Sequence, residues 1–111
     1  MQKLEVVGGK KLSGILKISG SKNASLPILA ASLLSKKKIE LINLPQVKDI
    51  KTMLILLESL GSSVKKVGKK IIIDNSNQNK TEANYNIVRL MRGSFLVLGP
   101  LLAKFGKAKV S

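Results

Sequence analysis

At 111 residues with 44% hydrophobic side chains, the chain has the length and apolar content for one small domain with a core of its own. It contains neither cysteine nor histidine, which excludes disulfides, thiolate nucleophiles, imidazole bases and the usual zinc ligand sets, so its chemistry must come from Lys, Arg, Asn, Ser or the six carboxylates. Twenty Lys and Arg against six Asp and Glu give a net charge of +14, a balance that points to an anionic partner.

Nucleic acid fits that balance poorly. Arg89 and Arg92 are the only arginines, so bidentate forks are scarce, and Tyr85, Phe95 and Phe105 are too few for a stacking platform. The lysines fall in short runs, Lys10-Lys11, Lys36-Lys37-Lys38, Lys65-Lys66 and Lys69-Lys70, and read as solvated surface. Charged residues interrupt every stretch long enough to cross a membrane, and the first residues lack the apolar core of a signal peptide. A cytoplasmic protein without membrane or nucleic-acid association is the expectation, with no metal or cofactor.

In chain order, Lys3 to Val7 and Leu12 to Ser19 read as two short strands around the turn Gly8-Gly9-Lys10-Lys11. No phosphate-loop pattern accompanies those glycines, so they read as a hairpin turn. Apolar residues at Leu26, Leu29, Ala30, Leu33 and Leu34 then follow helical spacing. Pro27 constrains the start of that helix, because a proline in a helix interior lacks a donor and presses on the carbonyl four residues back. Either Ser25 caps a helix beginning at Leu26, or Ser21 caps a longer one that contains Pro27. Both readings put Lys22 and Asn23 at or just before a helix N-terminus, where free amides and the helix dipole favour an anion.

After the basic turn at Lys36 to Lys38, a strand is expected at Ile39 to Asn43 and a second helix from about Val47 to Leu60, with Val47, Ile50, Met53, Leu54, Leu57 and Leu60 inward. Gly61 ends it, and Asp49 complements the dipole in its first turn, a role sufficient to explain that carboxylate. Ser63 to Val67 and Lys70 to Asp74 form a hairpin about Gly68-Lys69. From Leu12 the order is β-α-β-α-β-β, an α/β (mixed α+β) unit with both helices on one face of a mixed sheet. Asn75 to Asn84 reads as a polar loop, Ile87 to Phe105 as a mostly apolar helical stretch bent or restarted at Gly99-Pro100, and Lys107 to Ser111 as the opening of a strand in a second unit.

Two places carry chemistry. Lys22 offers a point charge with three donors, and Asn23 a neutral donor and acceptor beside it. Arg92 interrupts an apolar helical stretch at Leu90-Met91-Arg92-Gly93-Ser94-Phe95, where an unpaired charge is expensive to bury, so it must reach solvent, a carboxylate or an anionic ligand. Gly93 beside it leaves room for close approach to the backbone.

The segments Ser19-Gly20-Ser21-Lys22-Asn23-Ala24-Ser25-Leu26-Pro27, Asn43-Leu44-Pro45 with Asp49-Ile50, Leu60-Gly61, Met91-Arg92-Gly93-Ser94 and Leu98-Gly99-Pro100-Leu101-Leu102-Ala103-Lys104-Phe105-Gly106, taken in order, resemble the opening of the UDP-N-acetylglucosamine enolpyruvyl transferases (1-carboxyvinyltransferases). The resemblance implies an inside-out α/β barrel built from repeated β-α-β-α-β-β units, with these residues forming one unit and the start of another. It implies that residues 1–20 pack with the other domain of the enzyme and that residues 21–111 are an incomplete part of the first domain. The implied reaction moves the enolpyruvyl group of phosphoenolpyruvate to UDP-N-acetylglucosamine in peptidoglycan precursor synthesis. Lys22 and Asn23 would contact phosphoenolpyruvate and Arg92 the UDP-sugar.

The Pro-Gly-Gly-Cys loop that carries the family's acid would follow Ser111, so the resemblance also implies that these residues alone are inactive and that the remainder of the enzyme is a partner. Where the family often has alanine, Gly93 stands here. The sister 5-enolpyruvylshikimate-3-phosphate synthases share the fold and reaction type, but their corresponding motif resembles Asp-Lys-Ser rather than Ser21-Lys22-Asn23. A basic non-catalytic nucleic-acid-binding module is the alternative from outside enzymology, and it predicts affinity for DNA that falls steeply with salt.

Overall fold

The computed structural model describes residues 2–111. The first regular element is helix α1, Lys22–Ala31, and its start is decided by Ser21, whose side chain accepts from the Ala24 amide at 3.3 Å. Of the two starts left open by the spacing, the longer helix is the one formed, with Pro27 inside it. The proline's missing N–H leaves the Asn23 carbonyl without its intrahelical donor, and this is tolerated because Pro27 and Asn23 both lie on the exposed side. A 3₁₀ turn, Ser32–Leu34, closes the helix. The change of pitch turns Leu34 out to solvent while Leu26, Leu29, Ala30 and Leu33 stay buried.

Strand β1, Ile39–Ile42, leads through Asn43-Leu44-Pro45 to helix α2, Lys48–Ser59. Ile50, Met53, Leu56, Leu57 and Leu60 are its buried face, whereas Val47, expected inward, is the exposed residue at the N-cap. Gly61, at φ +106°, ends α2 in a conformation that favours glycine. A side chain there would also press on the backbone of residues 77–79. Strands β2, Ser63–Val67, and β3, Lys70–Asp74, form the expected hairpin about Gly68-Lys69.

The sheet has the order β1-β3-β2 with both pairings antiparallel, so the expectation of a mixed sheet is corrected. Register explains its two faces. Ile73 stands opposite Ile39 on one side and Val64 on the other, and Ile73 and Val64 join the helices in the core. Glu40, Ile72 and Lys65 form the next row on the opposite face, where Glu40 and Lys65 are exposed.

Residues 2–20 are neither helix nor strand, and this corrects the two strands expected at Lys3 to Val7 and Leu12 to Ser19. The alternation of apolar side chains is present, but no ladder partner meets it among the described residues, and Leu4, Val7, Leu12 and Ile15 are almost wholly exposed. The unit therefore reads α-β-α-β-β, without its leading strand.

The apolar stretch from Ile87 to Phe105 is not one helix. It is divided into a short helix α3, Tyr85–Val88, a 3₁₀ segment, Arg92–Val97, and helix α4, Leu98–Phe105, which starts at the Gly99-Pro100 position and ends at Gly106 with φ +73°. Between the first two, Met91 adopts an extended backbone, φ −150° and ψ 123°. A two-residue parallel ladder joins β4, Glu82–Ala83, to β5, Lys109–Val110, which is the strand opening expected near the last residues.

A candidate anion site at paired helix N-termini

Helices α1 and α2 run side by side in the same direction. Their first turns are joined by an ion pair, Lys22 Nζ to Asp49 Oδ2 at 3.1 Å. At the other end both receive the loop after β3: Asn75 Nδ2 donates to the Ser32 carbonyl at 2.6 Å, and Gln78 Nε2 donates to the Leu60 carbonyl at 3.3 Å. The positive ends of two helix dipoles therefore lie next to each other at the Lys22 end.

The Gly20-Ser21-Lys22-Asn23 segment is held there by steric and polar constraints. A Cβ on Gly20 would collide with the Asn43 carbonyl and stand 3.2 Å from Pro45 Cδ. Asn43 itself has φ +61°, a left-handed conformation that asparagine tolerates better than most residues. The Asn43-Leu44-Pro45 motif thus shapes the floor against which Gly20 lies. Ser21 caps α1, and the Ser25 hydroxyl donates back to the Ser21 carbonyl at 2.6 Å. Lys22 and Asn23 are exposed, and as the first two residues of the helix their backbone amides have no intrahelical acceptor.

Arg92 lies on the neighbouring 3₁₀ segment, which packs against α1. A Cβ at Gly93 would stand 3.2 Å from Leu26 Cδ1, and Leu26 is one helical turn beyond Lys22. Arg92 is exposed and makes no ion pair among the described residues, so of the routes open to it the side chain takes the one to solvent. Gly93 has a packing role as well: its missing side chain admits Leu26. The site so defined has two exposed cations, Lys22 and Arg92, on abutting elements, one carboxylate bound to Lys22, and the N-terminus of α1 beside Lys22. It can hold an anion with oxygens on more than one side.

Two features, one at the site and one that supports it from the other end of the helices, are not legible in the sequence. Asp49 was accounted for by the dipole of α2, yet it also anchors the Lys22 ammonium. Asn75 and Gln78 read as polar loop, but they are 2% and 5% exposed and cap the carbonyl ends of the two helices. The signal available for them was the need of each helix C-terminus for a donor.

The perturbed titrations lie elsewhere. The Ser76 backbone N–H donates to Asp74 Oδ1 at 2.9 Å and, with the Ser76 hydroxyl, holds that carboxyl below the usual aspartate range. Burial, and secondarily the like charge of Lys36, holds the Lys104 ammonium below the usual lysine range while it donates to Gln78 Oε1 at 3.0 Å. No cluster of three or more potential metal ligands occurs among the described residues. No helix among them is long and apolar enough to cross a membrane.

Residues 6–111 match the family model for EPSP synthase (3-phosphoshikimate 1-carboxyvinyltransferase). The chain belongs to the EPSP synthase family. Within that family it is similar along its whole length to proteins named UDP-N-acetylglucosamine 1-carboxyvinyltransferase: 66% identical to that of Pelagibacter ubique, covering 27% of the relative. The corresponding figures are 54% and 26% for Sulfurovum, and 51% and 26% for Campylobacter fetus. The chain thus spans about a quarter of the length of the curated relatives it matches. Among solved structures of this fold, the enolpyruvyl transferase NikO from Streptomyces tendae superposes with a TM-score of 0.75 over 91% of this chain and 24% of that one, at 23% identity. At that identity the likeness shows the fold, a mixed α/β portion of an EPSP synthase family member.

Proposed function

We propose that these residues form the first quarter of a UDP-N-acetylglucosamine enolpyruvyl transferase acting in the cytoplasm in peptidoglycan precursor synthesis. The observation that carries the reading is the 66% identity, without a break in coverage, to the Pelagibacter relative of that name. The paired cations at the head of α1 support it from the chemical side. Phosphoenolpyruvate is anionic at both its phosphate and its carboxylate. Addition of the sugar 3-hydroxyl to C2 with protonation of C3 gives a tetrahedral ketal that keeps both anions, and loss of phosphate with a proton from C3 restores the enol ether. Preplaced donors lower the cost of every species on that path.

In this reading Lys22 and Asn23 contact phosphoenolpyruvate and Arg92 contacts the UDP-sugar. Residues 1–20 pack against the other domain of the enzyme, which suits a run whose Leu4, Val6, Val7, Leu12, Ile15, Leu16 and Ile18 are 73–103% exposed here. The general acid that the resemblance implies is a cysteine, and these 111 residues contain none. The test is UDP-N-acetylglucosamine-dependent release of phosphate from phosphoenolpyruvate. None is expected from the 111 residues alone, and turnover is expected once they are joined to the remaining three-quarters of the Pelagibacter relative. In that joined enzyme Lys22→Ala should lower kcat/KM for phosphoenolpyruvate by about 100-fold. Turnover by the isolated chain, or a joined enzyme indifferent to Lys22, would refute the proposal.

The family model's own name raises a second reading, in which the acceptor is shikimate 3-phosphate. Ser21-Lys22-Asn23 in place of an Asp-Lys-Ser motif favours the UDP-sugar. Competition between the two acceptors in the joined enzyme decides between them.

A further inference from the structure

Lysine is a weakly directed ligand for phosphate: a compact ammonium on a flexible four-carbon stem. At the head of α1 that freedom is restricted, because Lys22 Nζ lies 3.1 Å from Asp49 Oδ2. We propose that Asp49 is a positioning residue for Lys22, holding its ammonium where the phosphate of phosphoenolpyruvate arrives; this rests on the assignment of Lys22 to phosphoenolpyruvate above.

Three features support the role. The pair is partly exposed, 46% for Lys22 and 34% for Asp49, so it adds little to the stability of the fold and its presence calls for another reason. Asp49 has a short side chain with two rotatable bonds, and its carboxylate is electrostatically favoured in the first turn of α2. The shorter, less flexible acceptor therefore restrains the longer donor. Finally, an ammonium has three N–H groups, and the contact to one carboxylate oxygen leaves others for phosphate oxygens.

The same carboxylate also repels an incoming anion, and the two effects differ in sign. If repulsion dominated, removing the charge of Asp49 would tighten binding. If positioning dominates, removing the acceptor loosens binding, and asparagine, which keeps an oxygen at the same place, restores most of it. The loss is expected only while Lys22 is there to be positioned.

The experiment is calorimetric binding of phosphoenolpyruvate, with UDP-N-acetylglucosamine present, to the enzyme made by joining this chain to the rest of the Pelagibacter relative. Asp49→Ala is expected to weaken binding about tenfold and Asp49→Asn by less than about threefold, whereas Asp49→Ala in a Lys22→Ala background changes nothing further. Melting temperatures of the variants report whether α2 still forms, and the asparagine variant keeps the test valid if alanine unfolds its first turn. Tighter binding by Asp49→Asn, or an equal loss from Asp49→Ala with and without Lys22, overturns the positioning role while leaving Lys22 at the site. Unchanged binding by Lys22→Ala alone overturns the site assignment, and this inference with it.

Discussion

The two ends of the α1 and α2 pair make opposite use of polar side chains. At the carbonyl end, Asn75 is 2% exposed and fully engaged: its amide donates to Ser32 at 2.6 Å and its oxygen accepts from the Ser62 hydroxyl at 2.5 Å. Gln78 likewise donates to the carbonyls of Leu60 and Lys80 and accepts from Lys104. At the amide end, Ser21, Lys22, Asn23 and Arg92 are exposed, and the hydrogen bonds and ion pairs of their side chains are one long capping bond and one partly exposed ion pair. Buried polar groups without partners are costly, so the first end has to be saturated and is thereby structural. The second end keeps spare donors in water, which is the condition for taking up a ligand.

The contrast breaks most clearly at Asn75. Asn75→Ala strands the Ser62 hydroxyl in the core and leaves the Ser32 carbonyl with the Ser35 amide as its one donor, and should cost about 2 kcal/mol, read as a lower urea midpoint. Ser21→Ala removes an exposed cap and should cost about 1 kcal/mol by the same measurement. Lys22→Ala should change folding stability by less than about 0.5 kcal/mol, despite the ion pair, because half-exposed pairs contribute little. A stability loss at Lys22 as large as that at Asn75 would erase the distinction between the two ends.

The smallest effect concerns Asp74, next to Asn75. Its folded pKa lies below the ordinary 3.8, so the carboxylate's contribution to stability is complete above that value and fades as pH falls through the folded one. Melting temperature between about pH 5 and about pH 2 should fall slightly less steeply in Asp74→Asn than in the unsubstituted chain.

Much of this architecture is legible in the sequence. Leu26, Leu29, Ala30 and Leu33 announced α1 because a buried helical face needs that spacing, and Gly68-Lys69 announced the hairpin because the flanking runs suit strands. The site's Lys22 and Asn23 could be set at a helix head from Ser21, Ser25 and Pro27 alone. The Lys22 to Asp49 pair could not, since it depends on how two helices pack rather than on either sequence. Burial of Asn75 and Gln78 was hidden for the same reason: a polar run looks like solvent-facing loop until the carbonyl ends that it serves are brought to it. The strands expected before residue 20 failed differently. Alternation specifies a strand only when a partner supplies the other half of the ladder, and none does so here among the described residues.

Gly20 and Asn43 acquire a further meaning from that unpartnered run. The chain enters α1 through a gap with no space for even one methyl group, bounded by a carbonyl whose direction is fixed by the left-handed turn at Asn43. The heading of residues 2–19 is therefore steered from a point well downstream in sequence, at the exit of β1. Altering either residue would re-aim the whole run at its base, much as moving a rudder post swings everything ahead of it.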